Sequence, residues 1–429
     1  MSTRRPPPSA QRPWVRGPRR KRALVNVGGP ADTYGDPRLA AALAAALRVA
    51  PGEDDAALTH PFHAYPARLH PAVARALIAA LELPRGATVL DPFCGSGTVL
   101  IEAMVAGMRA VGRDLSPLAV ALSRIKTRRT TNAERKAIVE AARAASERAA
   151  MRVEAGERRD APRGEAVWYP SHTLAELSAL RDEVEASKGV VREALPMLLS
   201  SVLVKVSFQA SDTDARRVRK DIPPGAALRL FSYKSRELRA CLGALAAALP
   251  PDASVDVAVD DATRLGTVPD ASVDAVVTSP PYANTYDYAA HHARRYAWLG
   301  LDARAMGEGE VGAARWFRAP EAGVERFRRE LAAMAGAMAR ALKPGGRAVV
   351  VIADGAAGER ALRADEMVAE AAAGAGMKVL ARASQPRPSW DRESRTAFAR
   401  SPRREHAIVL ERAAGAVTGG DRRGQAERE

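Results

Sequence analysis

Residues 87–107, ATVLDPFCGSGTVLIEAMVAG, predict a strand, a glycine turn and a helix in direct succession. Gly95 and Gly97 allow a tight turn and a close approach of the backbone to a ligand. The helix that begins near Ser96 points its first backbone N–H groups at the same place. Asp91, at the end of the strand, would repel a phosphate and attract an amino group. This unit therefore predicts an α/β fold with a ligand site at the end of the strand.

Two common explanations of a glycine loop fit this one poorly. A phosphate loop carries a Lys-Ser or Lys-Thr pair, and the dinucleotide fingerprint carries a third glycine. Neither feature is present in DPFCGSGT. A single Gly-x-Gly is a weak signal, so the choice of ligand depends on the side chains at the ends of the other strands.

Short apolar runs alternate with longer Ala-, Leu- and Arg-rich segments along most of the chain, which predicts a sheet with crossover helices. The last two runs lack a crossover helix between them, so they are predicted to form an antiparallel hairpin around a long loop at residues 384–405. The seven predicted strands are residues 88–90, 109–112, 255–259, 274–277, 347–352, 378–382 and 406–410.

Carboxylates also follow the second and third predicted strands. Asp114 ends the second strand, where a carboxylate can accept hydrogen bonds from both hydroxyls of a ribose. Asp260 and Asp261 follow the third strand, and Asp261, directly before Ala262, is the better candidate to accept a hydrogen bond from an adenine amino group. Each aspartate alone is equally well explained as a cap or a turn residue. Together with Asp91 they predict an adenosine that carries a cationic amino acid, which describes S-adenosylmethionine.

The segment TSPPY, residues 278–282, follows an apolar run that is predicted to be a buried strand. Prolines cannot continue a β-ladder, and each X-Pro step is also disfavoured in a helix. Ser279, Pro280 and Pro281 therefore form a stiff, extended corner that holds backbone carbonyls and the Tyr282 ring in fixed positions. Rigid presentation at the end of a strand predicts a functional site.

Composition limits the class of protein. The 429 residues include 65 Lys and Arg against 50 Asp and Glu, and the net charge of +15 makes nucleic acid the first partner to consider, although mutational bias also yields Arg-rich proteins. Cys94 and Cys241 form no disulfide or zinc pattern, which suits a cytoplasmic protein. The sequence shows no apolar stretch long enough to cross a bilayer and no signal peptide, so no membrane partner is expected.

Five regions are predicted along the chain. The segment between the second and third strands has helical and mixed sequence without a clear parallel strand, so it is interpreted as a largely helical insertion. The composition of both termini predicts disorder. The regions are a disordered basic arm (residues 1–35), the amino-terminal half of the core (36–129), the insertion (130–250), the carboxyl-terminal half of the core (251–413) and a disordered tail (414–429).

Two segments, residues 207–238 and 384–405, combine basic and aromatic residues, as surfaces that bind a nucleic acid strand do. For the first segment the alternative is a helical cap whose aromatic side chains fill a small core. For the second the alternative is a disordered hairpin tip. The aromatic residues are Phe208, Phe231 and Tyr233 in the first segment and Trp390 and Phe398 in the second.

These motifs give the sequence a resemblance to the DNA amino-methyltransferases, which methylate the exocyclic nitrogen of cytosine or adenine. DPFCGSGT is similar to the cofactor loop of that family, and TSPPY contains a sequence similar to its catalytic tetrad. FHAYPARLHPAVARALI, residues 62–78, is similar to the segment that closes over methionine. The match covers most of the core. It implies a Rossmann-like class I methyltransferase fold, with a seven-stranded, mostly parallel sheet and a carboxyl-terminal antiparallel hairpin.

The resemblance also implies roles for residues, with S-adenosylmethionine as the cofactor and DNA as the partner. It implies no metal, and His291 and His292 complete no ligand pattern. The implied catalytic residues are Ser279, Pro280, Pro281 and Tyr282. The implied cofactor contacts are Tyr65, Pro66, Asp91, Pro92, Phe93, Gly95, Gly97, Thr98, Asp114, Asp261 and Ala262.

The residue types support the implied mechanism. An aromatic amine is a poor nucleophile, and its hydrogen bonds to the Ser279 hydroxyl and the Pro280 carbonyl would localise its lone pair towards the methyl group. Tyr282 would stack on a base that has swung out of the duplex. Serine at the first tetrad position favours cytosine N4 over adenine N6, because aspartate is more usual in the adenine branch.

Alternatives stay open at this point. RNA is a second candidate substrate, because the tetrad recognises a flipped base rather than the sugar. A nucleic-acid-binding protein without catalysis is a third, although the intact tetrad argues against it. The order of the motifs makes residues 130–250 the candidate for target recognition, but this insertion lies earlier than in the standard arrangement. The sequence leaves open whether a restriction endonuclease accompanies the protein.

Overall fold

The computed structural model describes residues 29–49, 56–157, 160–389 and 392–415. Its strands are β1 (Asp32–Gly35), β2 (Thr88–Asp91), β3 (Arg109–Asp114), β4 (Gln209–Ser211), β5 (Asp214–Arg217), β6 (Ser254–Val259), β7 (Val273–Thr278), β8 (Leu342–Ala353), β9 (Gly355–Ala357), β10 (Arg360–Leu362), β11 (Met377–Pro386) and β12 (Arg404–Arg412). Its α-helices are α1 (Pro37–Leu47), α2 (Pro71–Ala80), α3 (Thr98–Val105), α4 (Pro117–Thr127), α5 (Asn132–Glu154), α6 (Ser171–Glu185), α7 (Gly189–Leu203), α8 (Ala226–Ala248), α9 (Tyr288–Leu299), α10 (Arg304–Gly309), α11 (Pro320–Ala341), α12 (Ala364–Gly374) and α13 (Arg392–Ala397).

The central sheet has the spatial order β6-β3-β2-β7-β8-β12-β11-β1. The first five of these strands are parallel, whereas β12 is antiparallel to both β8 and β11. All seven predicted strands form, and the last two pair as the predicted antiparallel hairpin. The prediction of a Rossmann-like class I methyltransferase fold is therefore confirmed.

Among the described residues the sheet has eight strands, one more than the predicted seven. β1 pairs antiparallel with β11, although it lies within the predicted disordered arm. Its sequence, DTYG, is short and exposed along its whole length, so its pattern does not predict a strand. The free edge of β11 supplies its hydrogen bonds. Residues 1–28 of the predicted arm and residues 416–429 of the predicted tail lie outside the described residues.

Helices cover both faces of the central sheet, and the side chains of β7 show how. Ala275 and Val277 belong to a buried cluster with residues of α1, α2 and α3. Val276, between them, belongs to a second cluster with residues of α11 and α12. Successive strand residues point to opposite faces, which explains the continuous apolar run of this strand. In the described part of the chain, no helix has the length and apolarity needed to cross a membrane.

The insertion is largely helical, as predicted, and its core continues into the second half of the chain. Residues of α5 to α8 form one buried cluster that also contains Tyr296 and Trp298 of α9, the helix that follows TSPPY. Phe231 lies fully buried in this cluster, whereas Tyr233 is 55% exposed. Phe231 therefore contributes to the core of the insertion, and Tyr233 contributes to its surface. The insertion also contains the short antiparallel hairpin β4–β5.

The arginine-rich segment at residues 384–405 is more regular than the predicted loop. β11 continues to Pro386, α13 occupies the middle of the segment, and β12 begins at Arg404. Phe398 is buried, and the Arg363 guanidinium lies 5.0 Å from its ring centroid. Trp390 lies outside the described residues. The segment is thus a small packed element on the end of the hairpin, because Phe398 supplies it with an apolar anchor.

Lys126, near the end of α4, is a fully buried basic residue. Its Nζ has no hydrogen-bond partner among the described residues, and burial lowers its pKa well below the ordinary value. Burial therefore disfavours the charged form of this lysine in the native state relative to the unfolded chain. Lys126→Met is expected to raise the free energy of unfolding by about 1–3 kcal/mol. Thermal or urea unfolding of the variant and the parent protein measures this difference.

The pH dependence separates this effect from simple repacking. Unfolding takes up a proton at Lys126, so the stability of the parent protein falls as the pH decreases below the pKa of a free lysine. The gain from Lys126→Met should therefore be larger at pH 7 than at pH 9. Lys136→Met, at an exposed site on α5, is the matched control. An equal gain at both pH values would show that the lysine stays charged in the native state.

Candidate active site

A cleft with an empty volume of about 860 Å³ lies at the carboxyl ends of β2 and β7. Between these two neighbours the strand order reverses, because β2 leads to β3 and β6 on one side and β7 leads to β8 on the other. Ligands of open α/β sheets bind at such a switch point. The predicted site residues that line the cleft are Tyr65, Pro66, Asp91, Pro92, Phe93, Gly95, Thr98, Asp114, Asp261, Ala262, Ser279 and Pro281. Gly97, Pro280 and Tyr282 are not among the lining residues.

Asp91 joins the two strands at the floor of the cleft. Its side chain is buried, and its Oδ1 accepts hydrogen bonds from the Thr278 hydroxyl at 2.7 Å and from the Phe93 N–H at 3.1 Å. Burial raises the pKa of Asp91 to about 7, although both hydrogen bonds oppose this. Burial removes the water that would solvate the ionised carboxylate. A cationic ligand nearby would stabilise the ionised form of Asp91 in its place.

Glycine is required at the two loop positions for different structural reasons. Gly95 (φ +49°) lines the cleft, and a Cβ there would lie 3.2 Å from the Tyr65 ring. Gly97 (φ +80°) caps the amino terminus of α3, and a Cβ there would lie 3.1 Å from the Ser123 hydroxyl oxygen. Ser123 in turn donates a hydrogen bond to the Gly95 carbonyl at 2.9 Å. Gly97 therefore shapes the loop by packing on α4, rather than by facing the cleft.

Asp114, at the end of β3, supports the loop from its other side. Its Oδ2 accepts a hydrogen bond from the Gly95 N–H at 2.9 Å, and its Oδ1 accepts one from the Ser116 N–H at 2.8 Å. Burial raises its pKa to about 6, with a further contribution from the negative charge of Glu310. Each carboxylate oxygen can accept a second hydrogen bond. Asp114 can therefore hold the loop and a polar ligand together.

Asp260 and Asp261, which follow β6, have different surroundings. Asp260 accepts hydrogen bonds from the Thr267 N–H at 2.8 Å and from the Gly266 N–H at 3.2 Å, so it closes its own turn. Asp261 lines the cleft, and one of its oxygens accepts from the Thr263 N–H at 2.9 Å. The structure therefore places Asp261, rather than Asp260, in the lining of the cleft.

The TSPPY corner presents Ser279 and Pro281 to the cleft, whereas its last residue, Tyr282, is anchored outside the cleft lining. Ser279 and Pro281 line the cleft, whereas Pro280 is buried. The Tyr282 hydroxyl donates a hydrogen bond to Glu405 at 2.9 Å, and Glu405 also forms an ion pair with Arg387. The ring of Tyr282 is thus fixed at the hairpin of β11 and β12.

The segment at residues 306–311, which the sequence did not indicate, covers one side of the cleft. Met306, Gly309, Glu310 and Val311 line the cleft. The buried Glu310 carboxylate accepts a hydrogen bond from the Tyr288 N–H at 2.6 Å. Tyr288 also lines the cleft, and its ring stacks on that of Tyr65 with centroids 6.5 Å apart. This segment and the start of α9 therefore close the cleft together.

Arg315 clamps that covering segment in place. Its guanidinium donates to Glu310 at 2.7 Å and to Asp287 at 2.9 Å, and it also bonds the Met306 and Gly307 carbonyls at 2.8 and 3.0 Å. Asp287 in turn caps the amino terminus of α9. One arginine therefore ties residues 306–310 to the segment that leaves the TSPPY corner. Sequence alone does not reveal such a clamp, because its partners lie on two separate segments that only the fold brings together.

Asp354, Asp365 and His406 form a group with the spacing of metal ligands, away from the residues that line the cleft. Their atoms are already engaged within the protein. Asp354 accepts hydrogen bonds from the Ala364 N–H at 3.0 Å and from His406 Nε2 at 3.0 Å, while His406 Nδ1 bonds the Ser384 hydroxyl at 2.8 Å. This network connects the start of α12 to β12. The hydrogen bonds satisfy the buried polar groups, so their burial is explained without a metal ion.

The sequence matches methyltransferases of several kinds. The model of the RMKL-like methyltransferase domain (UPF0020) matches residues 60–220. The chain is 39% identical over 72 residues to the Type II methyltransferase M.MvaI of Kocuria varians, which covers 16% of each protein. It is 43% identical over 51 residues to the tRNA (guanine(10)-N2)-dimethyltransferase of Methanothermobacter thermautotrophicus, covering 12% of this chain and 15% of that protein. It is 25% identical over 267 residues to the Type II methyltransferase M.BsoBI of Geobacillus stearothermophilus, covering 54% of this chain and 51% of that protein.

The aligned parts thus span at most about half the length of these relatives. Among solved structures, the rRNA methyltransferase aviRa of Streptomyces viridochromogenes is 16% identical with a TM-score of 0.33, and the match covers 86% of this chain and 95% of that one. This similarity is too low to assign a substrate.

Proposed function

We propose that this protein transfers the methyl group of S-adenosylmethionine to the exocyclic amino group of a base in DNA, with cytosine N4 as the favoured target. The hydrogen bond between Thr278 and Asp91 carries the proposal, because it joins the TSPPY corner to the glycine loop over 2.7 Å. An amine held by the corner and a cofactor held by the loop would meet in one cleft.

The residues of the cleft fit S-adenosylmethionine. Asp91, Asp114 and Asp261 follow three successive parallel strands, and they suit an ammonium group, the ribose hydroxyls and the adenine amino group in turn. Arg68 lines the same cleft and suits the methionine carboxylate. The methyltransferase domain match over residues 60–220 supports this cofactor.

When bound, S-adenosylmethionine supplies a methyl group on a positively charged sulfur. The chain's own contribution would be to orient the amine, whose hydrogens bond the Ser279 hydroxyl and the Pro280 carbonyl, so that its lone pair faces the methyl group. The amine nitrogen would lose one proton to solvent in exchange for the methyl group that the cofactor would supply. The resemblance implies that Tyr282 stacks on the flipped base. Its hydroxyl is fixed by Glu405 and its ring lies outside the cleft lining, so this role requires the base to extend beyond the cleft.

Two features favour DNA and cytosine. The TSPPY corner resembles the tetrad of the DNA amino-methyltransferases, and serine at its first position favours cytosine N4 over adenine N6. The net charge of +15 suits a polyanionic substrate. We place target recognition in the insertion, residues 130–250, because α9, which leaves the corner, packs into the core of that insertion.

RNA is the second candidate substrate. The 43% identity over 51 residues to a tRNA (guanine(10)-N2)-dimethyltransferase favours it. The amino group of guanine is also exocyclic, so the corner could orient it in the same way.

Transfer of an isotopic label tests the choice of substrate. The protein would be incubated with labelled S-adenosylmethionine and separately with duplex DNA, single-stranded DNA and tRNA. Label in DNA is expected. Label confined to tRNA would move the substrate to RNA, and binding without transfer to any of the three would indicate a nucleic-acid-binding protein without catalysis.

Cofactor affinity is expected to depend on pH through Asp91. Its pKa of about 7 means that it is increasingly protonated as the pH falls below 7, and a protonated carboxyl cannot balance the cofactor's ammonium. The Kd of S-adenosylmethionine should therefore rise by about tenfold per pH unit between pH 7 and pH 5. Calorimetric titration at a series of pH values measures this slope. A Kd that stays constant over this range would contradict a contact between Asp91 and the ammonium.

Loss of the Arg315 clamp is expected to weaken cofactor binding. Arg315→Met leaves the buried Glu310 carboxylate without its ion pair, so the segment at residues 306–311 should no longer close the cleft. The Kd of S-adenosylmethionine should rise by roughly tenfold or more. Arg318→Met, at an exposed site three residues away, is the control and should bind as the parent does. Equal affinity of the two variants would show that the clamp has no role in binding.

A further inference from the structure

The hairpin β4–β5 of the insertion carries an exposed basic surface. Arg216, Arg217 and Arg219 are all exposed. Arg216 pairs with Asp214 inside the hairpin, and the Arg217 guanidinium lies 5.3 Å from the centroid of the Phe208 ring. The strands of this hairpin are short, and only Gln209 among their residues is buried, so burial of apolar area does not explain its presence.

The hairpin is attached to α9, the helix that follows the TSPPY corner. Asp212, in its turn, forms an ion pair with Arg295 of α9, whose side chain is 1% exposed. Arg295 also donates to the Ser200 carbonyl at 3.3 Å and contacts His292 Nδ1 at 3.2 Å. A buried ion pair with these additional bonds holds the hairpin to the helix that begins at the cleft.

A second basic surface is connected to the corner through another segment of the chain. Arg392, Arg395 and Arg400, on and just after α13, are exposed. α13 is tied to the turn after β9 by a hydrogen bond from the Gly358 N–H to Glu393. β9 in turn accepts a hydrogen bond at its Ala356 carbonyl from the Asn284 side chain at 2.9 Å. Asn284 lies two residues beyond the TSPPY corner.

Aromatic side chains lie in the chain between Asn284 and Arg295, the residues that connect the corner to these two basic surfaces, which are called here the two flanks. The rings of Tyr286 and Tyr288 are 5.5 Å apart, and the rings of Tyr286 and His291 are 5.9 Å apart. Tyr288 lines the cleft, whereas Tyr286 and His291 are half-buried. Aromatic side chains beside basic ones bind nucleic acid by stacking and by charge attraction.

We propose that the hairpin β4–β5 and α13 grip the DNA backbone on the two sides of the target nucleotide, while residues 284–291 lie against the strand between them. This inference rests on the proposed function, since it takes the base in the cleft to belong to DNA. The arginines on both flanks contact phosphates, which position the strand, and the aromatic side chains receive the unstacked base on its way to the cleft.

Two charge-removal variants test the proposal. One replaces Arg216, Arg217 and Arg219 with alanine, and the other replaces Arg392, Arg395 and Arg400 with alanine. The control replaces three residues near the opposite end of the central sheet, namely Arg85, Arg109 and Lys378, with alanine. The affinity of each protein for a fluorescent duplex DNA is measured over a range of salt concentrations, and cofactor binding is measured in parallel to verify folding.

Each flank variant is expected to bind DNA at least roughly tenfold more weakly, and to lower the slope of log K against log salt by roughly 2–3, whereas the control changes neither by as much. DNA affinity equal to that of the control in either flank variant would overturn the two-sided grip. Tighter binding of an RNA of the same sequence would overturn the choice of DNA. Because binding is measured without turnover, failure of this proposal is distinguishable from failure of methyl transfer.

Discussion

Ser279→Ala is expected to lower kcat for methyl transfer by roughly 10²–10³-fold. The hydroxyl oxygen lies at the start of the rigid corner and lines the cleft, so its removal takes away one acceptor for the reacting amine. The effect should fall on kcat rather than on cofactor binding, because the proposed contacts to S-adenosylmethionine come from other strand ends. Steady-state kinetics with DNA and calorimetric titration with the cofactor measure the two quantities separately.

Ser272→Ala is the matched control. Ser272 directly precedes the same strand, β7, and its hydroxyl donates to the Pro269 carbonyl at 2.7 Å in a turn. This variant should retain the kcat of the parent. If Ser279→Ala also retains full kcat, Ser279 does not orient the amine and the proposed mechanism is wrong.

Asp91→Asn is expected to raise the Kd of S-adenosylmethionine by roughly 100-fold. The substitution keeps the shape of the side chain, and an amide oxygen could still accept the hydrogen bond that Thr278 donates at 2.7 Å. It removes the negative charge at the end of β2 that would balance the ammonium of the cofactor. Calorimetric titration at pH 7.5 measures the loss, and thermal unfolding of the free protein verifies that the variant folds.

The same variant tests the source of the pH dependence. Asn cannot titrate, so the rise of Kd between pH 7 and pH 5 should be much smaller in Asp91→Asn than in the parent. Asp221→Asn, at an exposed site outside the residues that line the cleft, should keep both the affinity and the slope of the parent. An unchanged slope in Asp91→Asn would assign the titration to another group, with Asp114 (pKa about 6) the next to examine.

The sequence predicted the sheet well because a parallel strand buried on both faces is apolar along its whole length. Val276, between Ala275 and Val277, packs on the face opposite to theirs, so the run has no polar interruption. β1 escaped prediction because DTYG has no apolar pattern and depends on the free edge of β11. This strand forms because of a tertiary contact, which a local sequence pattern does not predict.

The same contrast applies to the cleft. Asp91 and Asp114 were predictable because each ends a strand, and the ends of neighbouring parallel strands meet at one edge of a sheet. Glu310 directly follows α10 and Arg315 lies on a short 3₁₀ helix, and both depend on partners at the start of α9, namely Tyr288 and Asp287. Gly97 shows a difference between motif and structure. The motif implied a cofactor contact, whereas the structure places this glycine against Ser123 of α4.

Mass spectrometry of nucleosides tests the central claim most directly. DNA and RNA would be incubated with the purified protein and isotopically labelled S-adenosylmethionine, digested to nucleosides and separated. We predict label in N4-methylcytosine from DNA. Label in N6-methyladenine would revise the choice of base, which rests on Ser279, and would keep the mechanism. Label on a carbon or ring nitrogen, or label confined to RNA, would contradict amino-group methylation of DNA by the TSPPY corner.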